Sequence, residues 1–176
     1  MEAIEGGGMA AVRKTFWYRR FRVAAYVSTL AALGWTLVIV LPFEPFSYLP
    51  PVIVGGGPGT WFVLAYVLFA VMGIGGFGAI SSFLTTMELH EGRTVDDRLM
   101  WPAFVLLCIG MAGSCVLLGV AGAVGGYAGA FQGSSTDAIH DLLAPYVNPI
   151  TTLVIIAVIG AALAVLAMVR ARWPAP

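Results

Sequence analysis

Charge is what this sequence has least of. Asp, Glu, Lys and Arg make up 10% of its 176 residues, where a soluble domain carries about 25%. The nine basic and nine acidic residues cancel, so no overall field draws the chain toward nucleic acid or an acidic partner. The long apolar runs hold no carboxylate and no histidine. Proton relays and ion carriers place such groups inside the membrane, and no inverted repeat of the transporter kind stands out. Two cysteines, Cys108 and Cys115, lie in one run. Seven helical residues separate them by about 10.5 Å, beyond the roughly 7 Å that a disulfide tolerates. No A-x-A-like site follows the first run, so no cleavable signal peptide is expected. Met9 is a second candidate start, after a short acidic, glycine-rich segment.

What is present is apolar sequence, 60% of the chain. A membrane helix needs about 20 predominantly apolar residues, and four stretches qualify: about 23–43, 60–86, 100–131 and 150–169. The expected fold class is all-α, an integral membrane four-helix bundle. Its parts are a basic N-terminal tail over 1–22, a transmembrane domain over 23–170 and a short tail over 171–176. Every basic residue falls on one side of this plan. Arg13, Lys14, Arg19, Arg20 and Arg22 precede the first stretch, Arg93 and Arg98 join the second to the third, and Arg170 and Arg172 follow the fourth. Cytoplasmic loops carry the excess of Lys and Arg. The expected topology is therefore multi-pass in the cell membrane, with both termini cytoplasmic. Phe16, Trp17, Tyr18, Trp101 and Trp173 on the inside, and Tyr48 and Trp61 on the outside, stand where amphipathic rings settle. His90 and His140 then lie on opposite faces and cannot share a haem.

The third stretch, 32 residues from Met100 to Phe131, would make a helix of about 48 Å against a core of about 30 Å. Its glycine-rich end is expected to project outward beyond about Gly125. Steps of four and three along it pick out Cys108, Ala112, Cys115, Gly119, Gly122, Gly126, Gly129 and Gly133, all small. In lipid, helices associate by close backbone approach over small residues, and the 3.5-residue period is that of left-handed packing. Ala112, Gly119, Gly122 and Gly126 are thus expected packing residues. Gly160 and Ala164 are expected to serve likewise in the fourth stretch, within the series Ala157, Gly160, Ala164, Ala167 and Ala171. The second stretch has a shorter series at Gly75, Ala79, Ser82 and Thr86. Read this way, Cys108 and Cys115 are seam members rather than copper(I) ligands with Met111.

The loops carry the candidate chemistry. Around His90, Gly92 is placed to end one helix and Asp96 or Asp97 to start the next. That favours a solvated hairpin over a metal or partner site. After the third stretch, Ser134 to Thr136 supply N-caps and Pro145 a stop. Ile139, Leu142, Leu143 and Tyr146 form an apolar face, so a short interfacial helix is expected. Its opposite face aligns Asp137, His140 and Asp141. These are the candidate outward-facing metal ligands, which Glu44 could join. The glycines of residues 55–59 could cradle phosphate at a helix start, but no lysine accompanies them and a flexible or re-entrant connector is the preferred reading.

The stretch Gly57-Pro58-Gly59-Thr60-Trp61-Phe62, continuing to Tyr66, Phe69, Gly73 and Gly75-Gly76-Phe77-Gly78, resembles helices of the haem–copper oxidase subunit I superfamily. The histidines that bind haem and copper in that family have no counterparts here, so no functional residue carries over. The resemblance implies a reduced, non-catalytic relative or an accessory subunit of a respiratory complex. The expected function is that of a small non-catalytic membrane protein without cofactors. It would be a structural or accessory subunit meeting the lipid bilayer and other membrane subunits, or itself, through small-residue seams. A small oligomeric channel or transporter and an outward metal site are the alternatives.

Overall fold

The structure, a computed structural model, describes residues 16–41, 43, 44 and 46–172. Arg13, Lys14, Met9 and Trp173 lie outside the described residues, as do Pro42 and Pro45, expected to close the first span. The described chain is helical with no strand: α1 (Trp17–Val40), α2 (Leu49–Val54), α3 (Gly59–His90), α4 (Asp97–Gln132) and α5 (Thr136–Arg172). All but α2 are long and apolar enough to cross a membrane. This is the architecture of a multi-pass helical membrane protein. In lipid only internal hydrogen bonding satisfies the backbone, which makes the helix the form these runs must take.

The connections follow local chemistry. Gly92, at φ +65°, reverses the chain after α3, and the Asp96 carboxylate accepts from the Arg98 amide at 2.9 Å to open α4. Gly133, at φ +62°, ends α4, and the Ser135 hydroxyl accepts from the Ala138 amide at 3.3 Å to open α5. Gly92, Asp96 and Ser135 are turn and cap residues expected from the sequence, whereas Gly133, expected in the packing stripe, is instead the exposed left-handed end of α4.

Elsewhere the boundaries differ from expectation. Helix α1 starts at Trp17, so Arg19, Arg20 and Arg22 belong to its first turns rather than to a tail. The expected separate interfacial helix is the opening of α5, which runs unbroken through Pro145 and Pro149. Both prolines are exposed, so their rings do not wedge against a neighbour. The glycine-rich end of α4 continues as helix beyond Gly125, in line with the expected projection. All 36 residues stay helical, about 54 Å, and the overhang is lined by neighbours. Leu143 of α5 and Pro58 lie over Gly125, and Val52 of α2 lies against Gly126. Helix α2, which the sequence reading left as connector, starts with Pro50 and Pro51 in its first turn, where the missing N–H groups cost nothing.

Helix α4 is the centre. It makes its broadest contact with α5 and packs its other side on the first half of α3, while α1 lies along the rest of α3. Two π-turns interrupt α3, at Ala70–Gly76 and Thr86–His90. A π-turn holds more residues per turn and so re-phases the helix beyond it. The first brings Gly73 onto α1, where a Cβ would stand 2.9 Å from the Ser28 hydroxyl.

Candidate functional site

Asp137, His140 and Asp141 are exposed on the first turns of α5. No three Asp, Glu, His or Cys side chains converge on a metal-sized site among the described residues. The three form a solvent-facing polar stripe. One histidine and two carboxylates at i, i+3 and i+4 share a face, and no further donor joins them among the described residues. Glu44, the suggested fourth ligand, instead accepts from the Ser47 hydroxyl at 2.6 Å.

The packing seams divide. On α4, Gly119, Gly122 and Gly126 are buried, and each receives a neighbour too close to admit a side chain. An added Cβ would stand 2.9 Å from the Trp35 ring at Gly119, 2.9 Å from the Trp61 carbonyl carbon at Gly122 and 2.9 Å from Gly59 Cα at Gly126. A Cβ added at Gly160 would stand 2.7 Å from the Leu107 amide nitrogen of α4, and Ala164 and Ala167 are fully buried. Ala112 is different: it is half-buried and lines an open groove. A further glycine, Gly110, lies hard against α5, where an added Cβ would stand 2.6 Å from the Leu153 carbonyl oxygen. It lies off the 3.5-residue stripe, on the α5-facing side. The small series of α3 is turned outward. Gly75, Ala79, Ser82 and Thr86 are exposed, while Gly73, Phe77, Ser81, Leu84 and Glu88 are buried. The re-phasing at Ala70–Gly76 separates what a straight α-helical count would align.

The most elaborate side-chain cluster sits where α1 begins. Glu88 is only 8% exposed, and its carboxylate accepts from the backbone amides of Trp17 at 3.1 Å and Tyr18 at 3.3 Å. It thus caps a helix start some seventy residues upstream, where an anion is favoured by both the free N–H groups and the helix dipole. Trp17 is fully buried, and its indole N–H donates to Asp97. Its ring meets those of Trp101 edge-on at 5.4 Å and Phe104 at 6.2 Å. The Arg20 guanidinium lies 4.5 Å from the Trp17 ring centre and 4.2 Å from that of Trp101. Arg93 donates to the carbonyls of Ala171 and Arg172, closing the C-terminus of α5 at the same end. The pairing of Glu88 with Trp17 leaves no signal in the sequence, because it depends on which helices become neighbours.

Beside this cluster, α1 and α4 stand apart. They touch near one end through Phe21 and Phe104, with ring centres 5.1 Å apart, and again at Trp35 over Gly119. Between these points lies an open groove of about 770 Å³, with Phe69 and Phe77 of α3 as its floor. Val27 and Ala31 on one wall and Cys108 and Ala112 on the other give it an apolar interior, and Arg19 and Arg20 stand at its mouth. Cys108 and Cys115 are both free thiols.

Comparison of the chain with family models, with curated proteins and with solved structures finds no match.

Proposed function

We propose that this chain is a non-catalytic subunit of a larger membrane assembly, with both termini cytoplasmic. The observation that carries this reading is the outward face of α3. Gly75, Ala79, Ser82 and Thr86 are exposed, and a Cβ at Gly75 would meet nothing within 4 Å. Small residues at helical spacing are the means by which membrane helices approach one another, and no helix among the described residues covers these four. The one-sided placement of Arg and Lys supports the orientation, and the oxidase-like stretch between Gly57 and Gly78 makes a respiratory complex the first assembly to test.

The experiment is purification in a mild detergent followed by native electrophoresis. The wild type should migrate as part of a defined complex. Gly75→Leu and Ala79→Leu should release it as a free chain with unchanged thermal stability, because neither side chain enters the fold. A wild type that runs as a lone monomer, or a complex indifferent to both substitutions, overturns the reading.

A further inference from the structure

We propose that the groove between α1 and α4 is a seat for one anionic phospholipid, with an acyl chain inside and the phosphate against Arg19 and Arg20. Three features point to this occupant. The groove's volume, about 770 Å³, falls within the roughly 300–1,000 Å³ usual for small-ligand sites. Its length is that of one leaflet. From Val23 to Trp35 is about 18 Å of helix, and half a hydrocarbon core is about 15 Å. Trp35 over Gly119 closes it there. A partner helix would need a furrow continuing across the whole membrane. Beyond Trp35 lies a separate space of about 340 Å³, with no charged residue in its lining among the described residues.

The mouth is cationic and set in place. Arg20 is held between two indoles, and its Nη1 is buried without a hydrogen-bond acceptor among the described residues. A buried guanidinium N–H that lacks an acceptor is costly, and a phosphate oxygen supplies one with a charge-assisted bond. Arg19 is exposed beside it. The nearby acids are already engaged: Glu88 by the Trp17 and Tyr18 amides, Asp97 by the Trp17 indole. The helix N-terminus is occupied in the same way, so the arginine side chains are what an anion would meet. Basic pockets between membrane helices are a known means of holding anionic headgroups. The groove is distinct from the outward seam of α3. Phe77 on its floor and Ala79 in the seam are two residues apart, about 200° around the helix.

Native mass spectrometry of the full chain tests the proposal. Detergent-solubilised protein is given equal amounts of phosphatidylglycerol and phosphatidylcholine with identical acyl chains. One phosphatidylglycerol per chain should be retained preferentially. Each of Arg19→Gln and Arg20→Gln should lower that preference about fivefold, as expected for about one arginine's worth of surface attraction. Ala112→Phe, which fills the groove, should lower retention of both lipids, and excess inorganic phosphate should not displace the bound lipid. Equal retention of the two lipids by the wild type overturns the proposal. So does a preference untouched by Arg19→Gln, whose exposed side chain carries no packing role, or a second copy of the chain found in the groove by cross-linking from Cys108. Loss of complex formation in Gly75→Leu with lipid preference intact separates this site from the assembly seam.

Discussion

The two ends of this bundle are held together in different ways. At the end where α1 begins, helices are latched by directional polar contacts. Glu88 caps α1, the Ser81 hydroxyl donates to the Tyr18 carbonyl at 2.9 Å, and Arg93 closes α5. At the end where α4 finishes, the joints are glycines. Gly122 and Gly126 let α3 approach backbone to backbone, and Gly125 receives Leu143 and Pro58. In that half the side-chain hydrogen bond that joins helices among the described residues is Thr36 to Tyr66, at 2.8 Å. The latched end gathers long, charged residues and fixes where each helix starts. The glycine end fixes how near the helices come. One controls register and the other distance, and a membrane protein with few charges needs both.

Substitution should separate the two. The largest effect is expected from Gly110→Leu or Gly122→Leu. The new side chain meets backbone that cannot swing aside, so overpacking of about 3 kcal/mol is expected, seen as a fall of several degrees in the thermal midpoint in detergent. Glu88→Ala strands two amides and should cost about 2 kcal/mol. If the latch governs register, hydrogen exchange should rise at Trp17 and Tyr18 while the Gly122 region stays protected. Uniform exchange along α1 would show that the two ends are not independent. The smallest effect belongs to Tyr66→Phe, which removes one interhelical hydrogen bond worth about 0.6 kcal/mol in a membrane setting. A midpoint shift as large as that of Glu88→Ala would mean that the glycine end relies on polar contact after all.

Much of this arrangement could be read in advance. The four spans follow from hydropathy, and the turns at Gly92, Asp96 and Ser135 are local chemistry that any neighbour leaves unchanged. The α4 stripe from Gly119 to Gly126 was legible because one α-helical period runs through it. The stripe on α3 was visible, but that it faces away from the other helices was not, since hydropathy carries no mark of a π-turn at Ala70–Gly76. The Asp137–His140–Asp141 series aligns on one helix face as its spacing indicates, but a metal shell needs donors from elsewhere, and which side chains lie nearby is a tertiary fact. The role of Glu88 could not be read, because its partners, the amides of Trp17 and Tyr18, carry no side-chain signature. The α1–α4 groove is a gap between helices, and gaps leave no trace in composition.

The unequal helix lengths have a practical consequence. Helix α4 has 36 residues and α1 has 24, so the α4–α5 hairpin outreaches its neighbour by about 18 Å. Its tip, Gln132 and Gly133 followed by Ser135 and Thr136, is polar and exposed. Exposed loop tips of small and polar residues accept inserted sequence. A short epitope placed after Gly133 therefore becomes a reporter on the surface of sealed cells. Antibody access before permeabilisation would reveal which side of the membrane this tip occupies, with the helices themselves undisturbed.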